Sequence, residues 1–494
     1  MMAGLMFFIA FTGCSKTEKV ITSFNDAKHA KIGVMTGSTG ETIAAARFPN
    51  AQVKSFDDIM DTVAAMKSGQ LDAVITAYPA ALQVSKLNPE FWYLPEPLDN
   101  EETAIAIKKG HDDLLAAVNR IISELKADGT LESMKKRWFK ADLSPYEEMN
   151  ITLPTEGKVL KIGVSATREP FSFVDKNGRV TGHDGELARI IGAKLQRPVE
   201  FSNMKFMALI PALQSGKVDL IVTGMTATDE RRKSVAFSQP YFANAQVMLV
   251  RKSSIAGTTS IPFIKSIANS FHNNIIQEKR YLLIMEGLKT TVVISVLSTV
   301  FGTLLGALIC FMRMSKKSVL SLPARIYISI LRGTPVLVVL MMIFYVVFAS
   351  VNIDPVFVAV VAFGMNFAAY VSEIFRTGID GVDKGQTEAG IAMGFTRVRT
   401  FLYIVLPQTV RRILPVYKGE FISLVKMTSI VGYIAVQDLT KASDIIRSRT
   451  FDAFFPLVMV AILYFLISWV LMQSLEYVER VTDPKYKRRK VSHA

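Results

Sequence analysis

The sequence predicts an α/β part with two lobes, followed by an all-α membrane part. Residues 19–255 alternate short apolar strands with helical patterns and contain one motif twice. Residues 288–475 instead contain long apolar runs with almost no charge. Alternating strands and helices are typical of parallel α/β units, and an apolar run of about 20 residues is long enough to cross a bilayer. A length of 494 residues leaves room for about three domains.

The composition is that of a basic membrane protein. The 57 Lys and Arg residues outnumber the 43 Asp and Glu residues, so the net charge is +14, and the mean hydropathy is +0.30. Membrane proteins accumulate such an excess in their cytoplasmic loops. Because no basic stripe with interleaved aromatic residues occurs, nucleic acid is not expected as a partner. Two cysteines and five histidines, scattered along the chain, argue against a disulfide framework and a metal site.

The first residues resemble a lipoprotein signal. The apolar stretch at 3–13 is too short to span a membrane as a helix. It ends in Phe-Thr-Gly-Cys, a pattern similar to a lipobox, which would make Cys14 the lipid anchor and the mature N-terminus. The positive charge that usually opens a signal peptide is missing. Lipid attachment at Cys14 and an uncleaved membrane anchor therefore both stay open.

An internal repeat divides the α/β part. The motif KIGV occurs at 31–34 and at 161–164, and SGQLDAVIT at 68–76 recurs as SGKVDLIVT at 215–223. Each copy has the pattern of a short apolar strand, a helix, a tight turn and a second apolar strand. The repeat therefore predicts two α/β lobes of similar build.

These lobes resemble the type II periplasmic amino-acid-binding proteins, but in reversed order. Residues 155–252, which include FSQPYF, are similar to the family's first lobe. Residues 21–140, which end in DGTLESMKKRWF, are similar to its second lobe and C-terminal helix. In the family the first lobe leads through a hinge into the second, whereas here it leads toward the membrane part. We interpret the region as one circularly permuted binding domain cut at the hinge; two truncated relics are the alternative.

The resemblance implies a site for a small amino acid. Arg231 matches the family's arginine that forks onto the ligand α-carboxylate, for which a guanidinium offers two parallel donors. Thr226 and Gly224 match further contacts to the same group, and Ser38 and Thr39 match carboxylate donors on the second lobe. The complete set of implied ligand-binding residues is Arg231, Thr226, Gly224, Ser38, Thr39, Phe206, Phe171 and Arg168.

Two positions depart from the family. Ala77 occupies the place of an Asp that usually binds the ligand ammonium, so Glu169 and Tyr78 are candidate replacements. Arg168 stands where an aromatic residue usually stacks on the ligand. An arginine there suits an acidic or amide-bearing ligand if it points into the site, and carries no such meaning if it points to water.

Five membrane spans are predicted. The loop at 313–317 and the tail at 485–490 are both basic and so belong inside, which requires a span at 414–436 besides four strongly apolar ones. The charged residues of this fifth span either face a translocation path or lie near the cytoplasmic end of the span. They are Lys418, Glu420 and Lys426. The four strongly apolar spans lie at 290–311, 335–351, 356–374 and 455–475.

The stretch EAGIAMGFTRVRTFLYIVLP at 388–407 resembles the EAA loop of ABC-importer permeases, with Gly390 in place of the second Ala. The resemblance implies a short cytoplasmic helix that docks in a groove of a separate ABC ATPase. Because no Walker A motif occurs, ATP is expected only on that partner, and no cofactor on this chain. The segments LRGTPVLVVL and KGEFISLVKMTSIVGYIAVQDL are similar to polar amino-acid permeases. The implied coupling residues are Glu388, Ala389, Gly394, Ile404 and Pro407.

The resemblances imply the solute-binding and permease subunit of an ABC importer for a polar amino acid similar to glutamine or glutamate, and not an enzyme. We expect a homodimer in the bacterial inner membrane, with the binding domain outside and the EAA loop and C-terminal tail inside. A ligand-gated channel or receptor is the alternative. The expected domains are a signal or lipobox segment at 1–18, the second lobe with its C-terminal helix at 19–150, the first lobe at 151–255, a linker with an interfacial helix at 256–286, a permease domain at 287–480 and a basic tail at 481–494.

Overall fold

The computed structural model describes residues 21–140, 145–252, 263–349 and 351–482. The chain forms two compact units. Unit 1 comprises Met1–Glu102 and Ala243–Ile261, and unit 2 comprises Thr103–Phe242 and Pro262–Ala494. Cys14 and the basic tail lie outside the described residues, so the predictions of a lipid anchor and of the tail's side of the membrane stay predictions.

Unit 1 is built on a six-stranded sheet. The strand Lys31–Met35 runs parallel to both Gln52–Phe56 and Ala73–Ala77. On its other side, Ala73–Ala77 pairs with Phe242–Arg251, an antiparallel strand that we call the crossing strand because it leads from unit 2 into unit 1. The remaining elements of this unit are the strands Phe91–Tyr93 and Asp99–Thr103 and the helices Thr39–Arg47, Ile59–Lys67 and Tyr78–Leu87.

The first part of unit 2 is another α/β lobe, residues 103–242, which we call the Arg231 lobe. Its five-stranded sheet has the order Val199–Asn203, Leu160–Val164, Leu220–Ile221, Ala106–Ile107 and Ala236–Phe237. The first three strands are parallel, and the last two add antiparallel pairing. A small antiparallel sheet contains Thr167–Arg168, Ser172–Val174 and Val180–Thr181. The helical segments are Asp112–Ala127, Thr130–Trp138, His183–Lys194, Phe206–Ala208, Leu209–Gln214 and Asp229–Ser234.

The sequence repeat folds in the same way in both lobes. Lys31 and Lys161 each open a KIGV strand, and Asp72 and Asp219 each follow the tight turn of their copy. Oδ2 of Asp72 accepts a hydrogen bond from the backbone N–H of Lys31 at 2.8 Å, and Oδ2 of Asp219 accepts one from Lys161 at 3.0 Å. The carboxylate thus fastens the turn to the start of the first strand in each copy. The prediction of two α/β lobes of similar build is confirmed.

The chain changes units near residues 103 and 243. Ile107 pairs with Leu220 in the sheet of the Arg231 lobe. Trp138 is buried in the same lobe, where its Nε1 donates to Oε2 of Glu186 at 2.9 Å. The helices at the end of the first sequence copy therefore complete the core of the other lobe. The crossing strand in turn carries residues 243–251 into unit 1, so the order of segments is that of a permuted two-lobed domain.

Among the described residues of the C-terminal half, three helices are long and apolar enough to cross a membrane. They are Tyr281–Met314, Pro355–Asp380 and Phe455–Tyr477, with mean hydropathies of 2.3, 1.7 and 2.4 over their most apolar windows. Each contains one of the strongly apolar predicted spans. Tyr281–Met314 begins nine residues before the predicted span, which is about two and a half turns of helix.

The other two predicted spans correspond to bent pairs of helices. Ser318–Gly333 meets Val336–Val347 at 110°, across Pro335, which lacks the N–H that a continuous helix needs. Arg397–Ile434 meets Leu439–Thr450 at 57°. If each bent pair is one span, the described part of the chain has five, in agreement with the prediction.

Hydrogen bonds from side chains to backbone carbonyls join the membrane helices. Asn366 Nδ2 donates to the carbonyl of Leu331 at 3.1 Å, and the hydroxyl of Tyr327 donates to that of Met365 at 2.7 Å. Such bonds satisfy polar groups that lipid could not. The remaining helical segments of this part are Phe263–Phe271, His272–Ile276, Gln277–Lys279, Lys384–Ala392, Arg397–Thr400, Phe401–Val405, Leu406–Met427 and Thr428–Ile434.

Candidate functional site

Arg231 stands in the short helix Asp229–Ser234. Thr228 caps this helix, since its Oγ1 accepts a hydrogen bond from the N–H of Arg231 at 3.3 Å. The guanidinium donates to the carbonyl of Thr226 at 2.8 Å and lies 5.4 Å from the ring centroid of Phe206. Three predicted ligand residues are therefore in contact. A guanidinium oriented by an aromatic ring and a carbonyl is suited to bind a carboxylate with little loss of side-chain freedom.

Gly224, Arg168 and Phe171 form a neighbouring group in the same lobe. Nη1 of Arg168 donates to the carbonyl of Thr223 at 3.2 Å, and its guanidinium lies 5.6 Å from the ring centroid of Phe171. A Cβ on Gly224 would stand 3.6 Å from both side chains. Arg168 therefore lies beside Gly224 and Phe171, two other predicted ligand residues.

Three buried polar residues behind this loop were missed by the sequence analysis. The hydroxyl of Tyr241 donates to Oδ1 of Asp184 at 3.0 Å and accepts from the N–H of Gly224 at 3.2 Å. Nδ1 of His183 lies 3.0 Å from the same Asp184 oxygen. Burial raises the pKa of Tyr241 well above its usual range, so the hydroxyl keeps its proton and holds the loop backbone. Tyr241 lies in the FSQPYF motif, which was the only signal pointing to it.

In unit 1, Ser38 and Thr39 stand at the start of the helix Thr39–Arg47. Oγ of Ser38 donates to the carbonyl of Met35 at 2.6 Å, and Oγ1 of Thr39 lies 3.5 Å from Nε2 of Gln246. The N-terminus of a helix carries partial positive charge and N–H groups without helical partners, which suits a carboxylate. The two residues predicted to donate to a carboxylate are thus side by side at such a terminus.

The two candidates for the role of the Asp missing at position 77 belong to different units. Tyr78 begins the next helix, is 39% exposed, and packs edge-on against Tyr93 with 5.3 Å between ring centroids. Glu169 belongs to unit 2, at the junction with the membrane part. The residue that stands directly opposite Ala77 in the sheet is Gln246 of the crossing strand.

The Arg231 lobe is bonded to the membrane part within unit 2. Nζ of Lys205 lies 2.7 Å from Oδ2 of Asp444, which belongs to the helix Leu439–Thr450. The backbone N–H of Lys205 also donates to the carbonyl of Gly432 at 3.2 Å. Because Phe206 follows Lys205 directly, the ring beneath the Arg231 guanidinium adjoins this contact.

Two more lysines of the Arg231 lobe reach the loop after the segment Val336–Val347. Nζ of Lys217 donates to the carbonyl of Val351 at 2.8 Å, and Nζ of Lys161 to Oδ1 of Asn352. Lys217 belongs to the repeated turn SGKVD, where the first copy has Gln70. The two copies of the repeat thus differ at a residue that contacts the membrane part in one of them.

Glu169 lies at this junction and has an unusual ionisation. It is only partly accessible to solvent, near Tyr146, Arg449, Arg280 and Glu278. Desolvation by the surrounding protein raises the pKa of its carboxyl from the ordinary 4.5 to about 7, although both arginines oppose this shift. Its ionisation is therefore coupled to the packing of the lobe on the membrane part.

The predicted coupling stretch begins within the short helix Lys384–Ala392, on which Glu388 and Ala389 are exposed. Gly394 follows with a φ of +86°, and a Cβ on it would meet no atom within 4 Å. Glycine favours this left-handed conformation just after a helix. Gly394 therefore ends the helix at a place where added side-chain atoms would project into open space.

Packing explains why Gly390 replaces the family's alanine. This residue is buried, and a Cβ on it would stand 2.6 Å from Cγ2 of Thr400 and 2.9 Å from Cδ1 of Ile404. Pro407 stands near the first position of the helix Leu406–Met427, where proline is well tolerated. The coupling helix is thus packed directly onto the start of a long membrane helix. Sequence spacing identified the substitution but not the contact behind it.

Exposed apolar side chains surround Gly394. Their exposed fractions run from 37% to 76%, and the residues are Ile391, Met393, Phe395 and Val398. Clustered apolar exposure of this kind is typical of an interaction surface.

The predicted fifth span also contributes to a groove. Glu420 lines an open groove of about 420 Å³ together with Arg332, Tyr370, Glu373 and Arg412. The guanidinium of Arg332 lies 5.0 Å from the ring centroid of Tyr370. Glu420 is therefore surrounded by charged and aromatic protein groups.

Comparison with known proteins identifies both parts of the chain. The family of bacterial extracellular solute-binding proteins, family 3, matches residues 18–141 and 160–412, which is more than half of the chain. Two permeases are similar over about two fifths of this chain. The L-cystine transport system permease protein TcyB of Bacillus subtilis is 36% identical over 212 residues, which are 42% of this chain and 91% of TcyB. The glutamine transport system permease protein GlnP of Escherichia coli is 36% identical over 201 residues, which are 40% of this chain and 92% of GlnP.

A solved structure is also similar. A crystal structure of an amino acid ABC transporter with histidines has 34% sequence identity and covers 45% of this chain and 99% of that chain, with a TM-score of 0.39.

Proposed function

Because the chain belongs to family 3 of the bacterial extracellular solute-binding proteins and, in its membrane part, to the amino-acid ABC transporter permeases, we propose that it is the combined solute-binding and permease subunit of an importer for a polar amino acid. The observation that carries the proposal is the bonding of the Arg231 lobe to the helices that continue from the coupling stretch. The solute is held by the α/β lobes outside the inner membrane and crosses through the membrane helices.

A continuous route of contacts supports this function. The coupling helix Lys384–Ala392 packs through Gly390 on Ile404, next to the helix Leu406–Met427. That helix runs on into Thr428–Ile434, whose Gly432 carbonyl accepts the N–H of Lys205. Packed elements therefore connect the coupling helix to the lobe that carries Arg231.

The solute is proposed to be an α-amino acid with a polar side chain, similar to glutamine or glutamate. The related permeases named above serve glutamine and L-cystine. Arg168 lies beside Gly224 and Phe171, where a guanidinium suits an amide or acidic side chain. Arg231 supplies two parallel donors for the α-carboxylate.

The assembly proposed is two copies of this chain with two ABC ATPase subunits. The exposed apolar residues around Gly394 form the proposed surface for the ATPase. ATP binds to that ATPase and not to this chain. The coupling stretch is proposed to lie on the cytoplasmic side of the membrane and the α/β lobes outside, with Cys14 as a lipid anchor. The groove at Glu420 and Arg332 is a candidate for the translocation path between the copies.

Reconstitution tests the function directly. The full chain and its ATPase are placed in proteoliposomes, and uptake of labelled amino acids and ATP hydrolysis are measured together. We expect uptake of a polar amino acid that requires ATP, hydrolysis that rises when that amino acid is outside, and one bound amino acid per chain. An ion current opened by the amino acid without ATP would instead identify a ligand-gated channel.

A further inference from the structure

A buried polar cluster surrounds the position of the missing aspartate in unit 1. Gln246 stands opposite Ala77 in the antiparallel pairing, so the two side chains share one face of the sheet. Nε2 of Gln246 donates to Oε2 of Glu101 at 3.1 Å. Glu101 and Gln246 are 7% and 6% exposed, and Asn244, two residues before Gln246 on the same strand, is 8% exposed. A carboxylate is thus buried next to the place where the family has one.

The cluster offers oxygen atoms for a donor that the described residues do not supply. Within the residues that the structure describes, Oδ1 of Asn244 and Oε1 of Gln246 are buried and accept no hydrogen bond. Buried carbonyl oxygens without a partner are rare in folded proteins because they lose their bonds to water. Two such oxygens beside a buried carboxylate match an ammonium group, which has three donors and a positive charge.

The cluster also lies next to the predicted carboxylate donors. Oγ1 of Thr39 is 3.5 Å from Nε2 of Gln246, the same nitrogen that donates to Glu101. An α-amino acid carries its carboxylate and its ammonium on one carbon, so its two charged groups need complementary partners within a few ångströms. Thr39 at a helix N-terminus and Glu101 are such a pair.

We propose that Glu101, with the carbonyl oxygens of Gln246 and Asn244, forms the ammonium subsite of this chain and replaces the aspartate absent at position 77. The subsite rests on the proposed function and adds to it that the ligand must carry a free α-ammonium. It also accounts for Ala77, since the acidic residue then lies on the segment Asp99–Thr103, which pairs with the crossing strand.

Calorimetry on the wild-type full chain in nanodiscs provides the first test. The twenty common L-amino acids are titrated, and the tightest binder is compared with its desamino analogue, the same compound with hydrogen in place of the α-ammonium. We expect the analogue to bind at least tenfold more weakly. Equal affinities would overturn the subsite and leave the proposed function standing, whereas no binding of any amino acid would overturn the proposed function itself.

Variants then identify the residues that distinguish the amino acid from its desamino analogue. Glu101→Gln should weaken the amino acid at least tenfold and leave the analogue unchanged, whereas the exposed neighbour Glu102→Gln should change neither. Retained preference for the amino acid in Glu101→Gln would overturn the proposal. If that variant does not fold, Asn244→Ala takes its place: a severalfold loss confined to the amino acid supports the subsite, and an equal loss for both ligands contradicts it.

Discussion

At the scale of single residues, Arg231 has the most direct consequence for binding. Its guanidinium is positioned by Phe206 and the Thr226 carbonyl. Arg231→Ala should weaken binding of the cognate amino acid by about 2–4 kcal/mol, because it leaves a desolvated carboxylate short of a charged partner. Arg231→Lys should lose most of the same free energy, since an ammonium can neither fork nor stack. Calorimetry on the full chain measures both.

Arg232 supplies the matched control for this prediction. It is exposed, and its guanidinium lies over Phe237 rather than Phe206, at 5.6 Å from the ring centroid. Arg232→Ala should leave the affinity unchanged. Unchanged affinity in Arg231→Ala as well would show that the carboxylate is bound elsewhere.

The raised pKa of Glu169 predicts that the stability of the protein depends on pH. Its pKa is about 7 in the folded protein, against an ordinary 4.5, so the folded chain binds more protons than the unfolded chain between these values. The stabilisation is complete below about pH 4.5 and is lost as the pH rises through about 7. Glu169→Gln, which is always neutral, should therefore melt at the same temperature as the wild type near pH 5 and roughly a few degrees above it near pH 8.

Thermal unfolding across that pH range, on protein in one detergent, measures this difference. Glu156→Gln is the control, because Glu156 is exposed in the same lobe and its removal should not alter the pH profile. If the melting temperatures of the wild type and of Glu169→Gln change with pH in parallel, the carboxyl of Glu169 is already ionised in the folded protein across this range.

At the scale of elements, the coupling helix ends at a glycine for two separable reasons. Gly394 has a left-handed backbone, and the space beyond it is open. Gly394→Leu should cost about 1–2 kcal/mol of stability through backbone strain. It should also abolish transport and amino-acid-stimulated ATP hydrolysis, because the new side chain occupies the surface proposed for the ATPase, while amino-acid binding stays intact.

A substitution at Gly178 separates the effect of backbone strain from the effect on docking of the ATPase. It lies in the Arg231 lobe with a φ of +78° and has equally open space at its Cβ position. Gly178→Leu should therefore cost a similar free energy of unfolding and leave transport intact. Loss of transport in both variants would attribute the effect to instability, and loss of amino-acid binding in Gly394→Leu would give the stretch a role other than coupling.

At the scale of the whole molecule, the Lys205–Asp444 pair links a binding lobe to the membrane part. Both side chains are largely buried, at 20% and 10% exposure, and their charged atoms are 2.7 Å apart. Lys205→Met and Asp444→Asn should each reduce stimulation of ATP hydrolysis by the amino acid severalfold, with little change in its dissociation constant. The double variant should be no worse than the more impaired single variant, because both changes break one contact.

The pair Lys194–Glu124 provides the comparison. It spans 2.8 Å within the Arg231 lobe and is more exposed, at 37% and 48%. Lys194→Met should leave stimulation unchanged, as expected for an exposed ion pair. Additive losses in the Lys205 and Asp444 variants would mean that the two residues act through separate contacts.

Local patterns in the sequence were sufficient to predict the two similar lobes, the apolar spans and the coupling stretch. Each rests on neighbouring residues: a strand–turn–strand motif that recurs, a run of apolar residues, or a spacing such as that from Glu388 to Gly394. Even Gly390 was visible as a substitution, although its contact with Thr400 was not. The bent pairs were partly hidden, since hydropathy does not report the 110° turn at Pro335.

By itself, the sequence determined the kind of fold, the two families that the chain resembles and most candidate ligand residues. Only the tertiary structure decided which distant residues meet. Lys205 and Asp444 are 239 positions apart, Gln246 and Glu101 are 145 apart, and Tyr241 and Asp184 are 57 apart. The tertiary structure also decided where the chain passes from one unit to the other, near residues 103 and 243. The physical reason is that helix and strand patterns arise from interactions between near neighbours, whereas polar contacts form wherever packing brings complementary groups together and removes water from them.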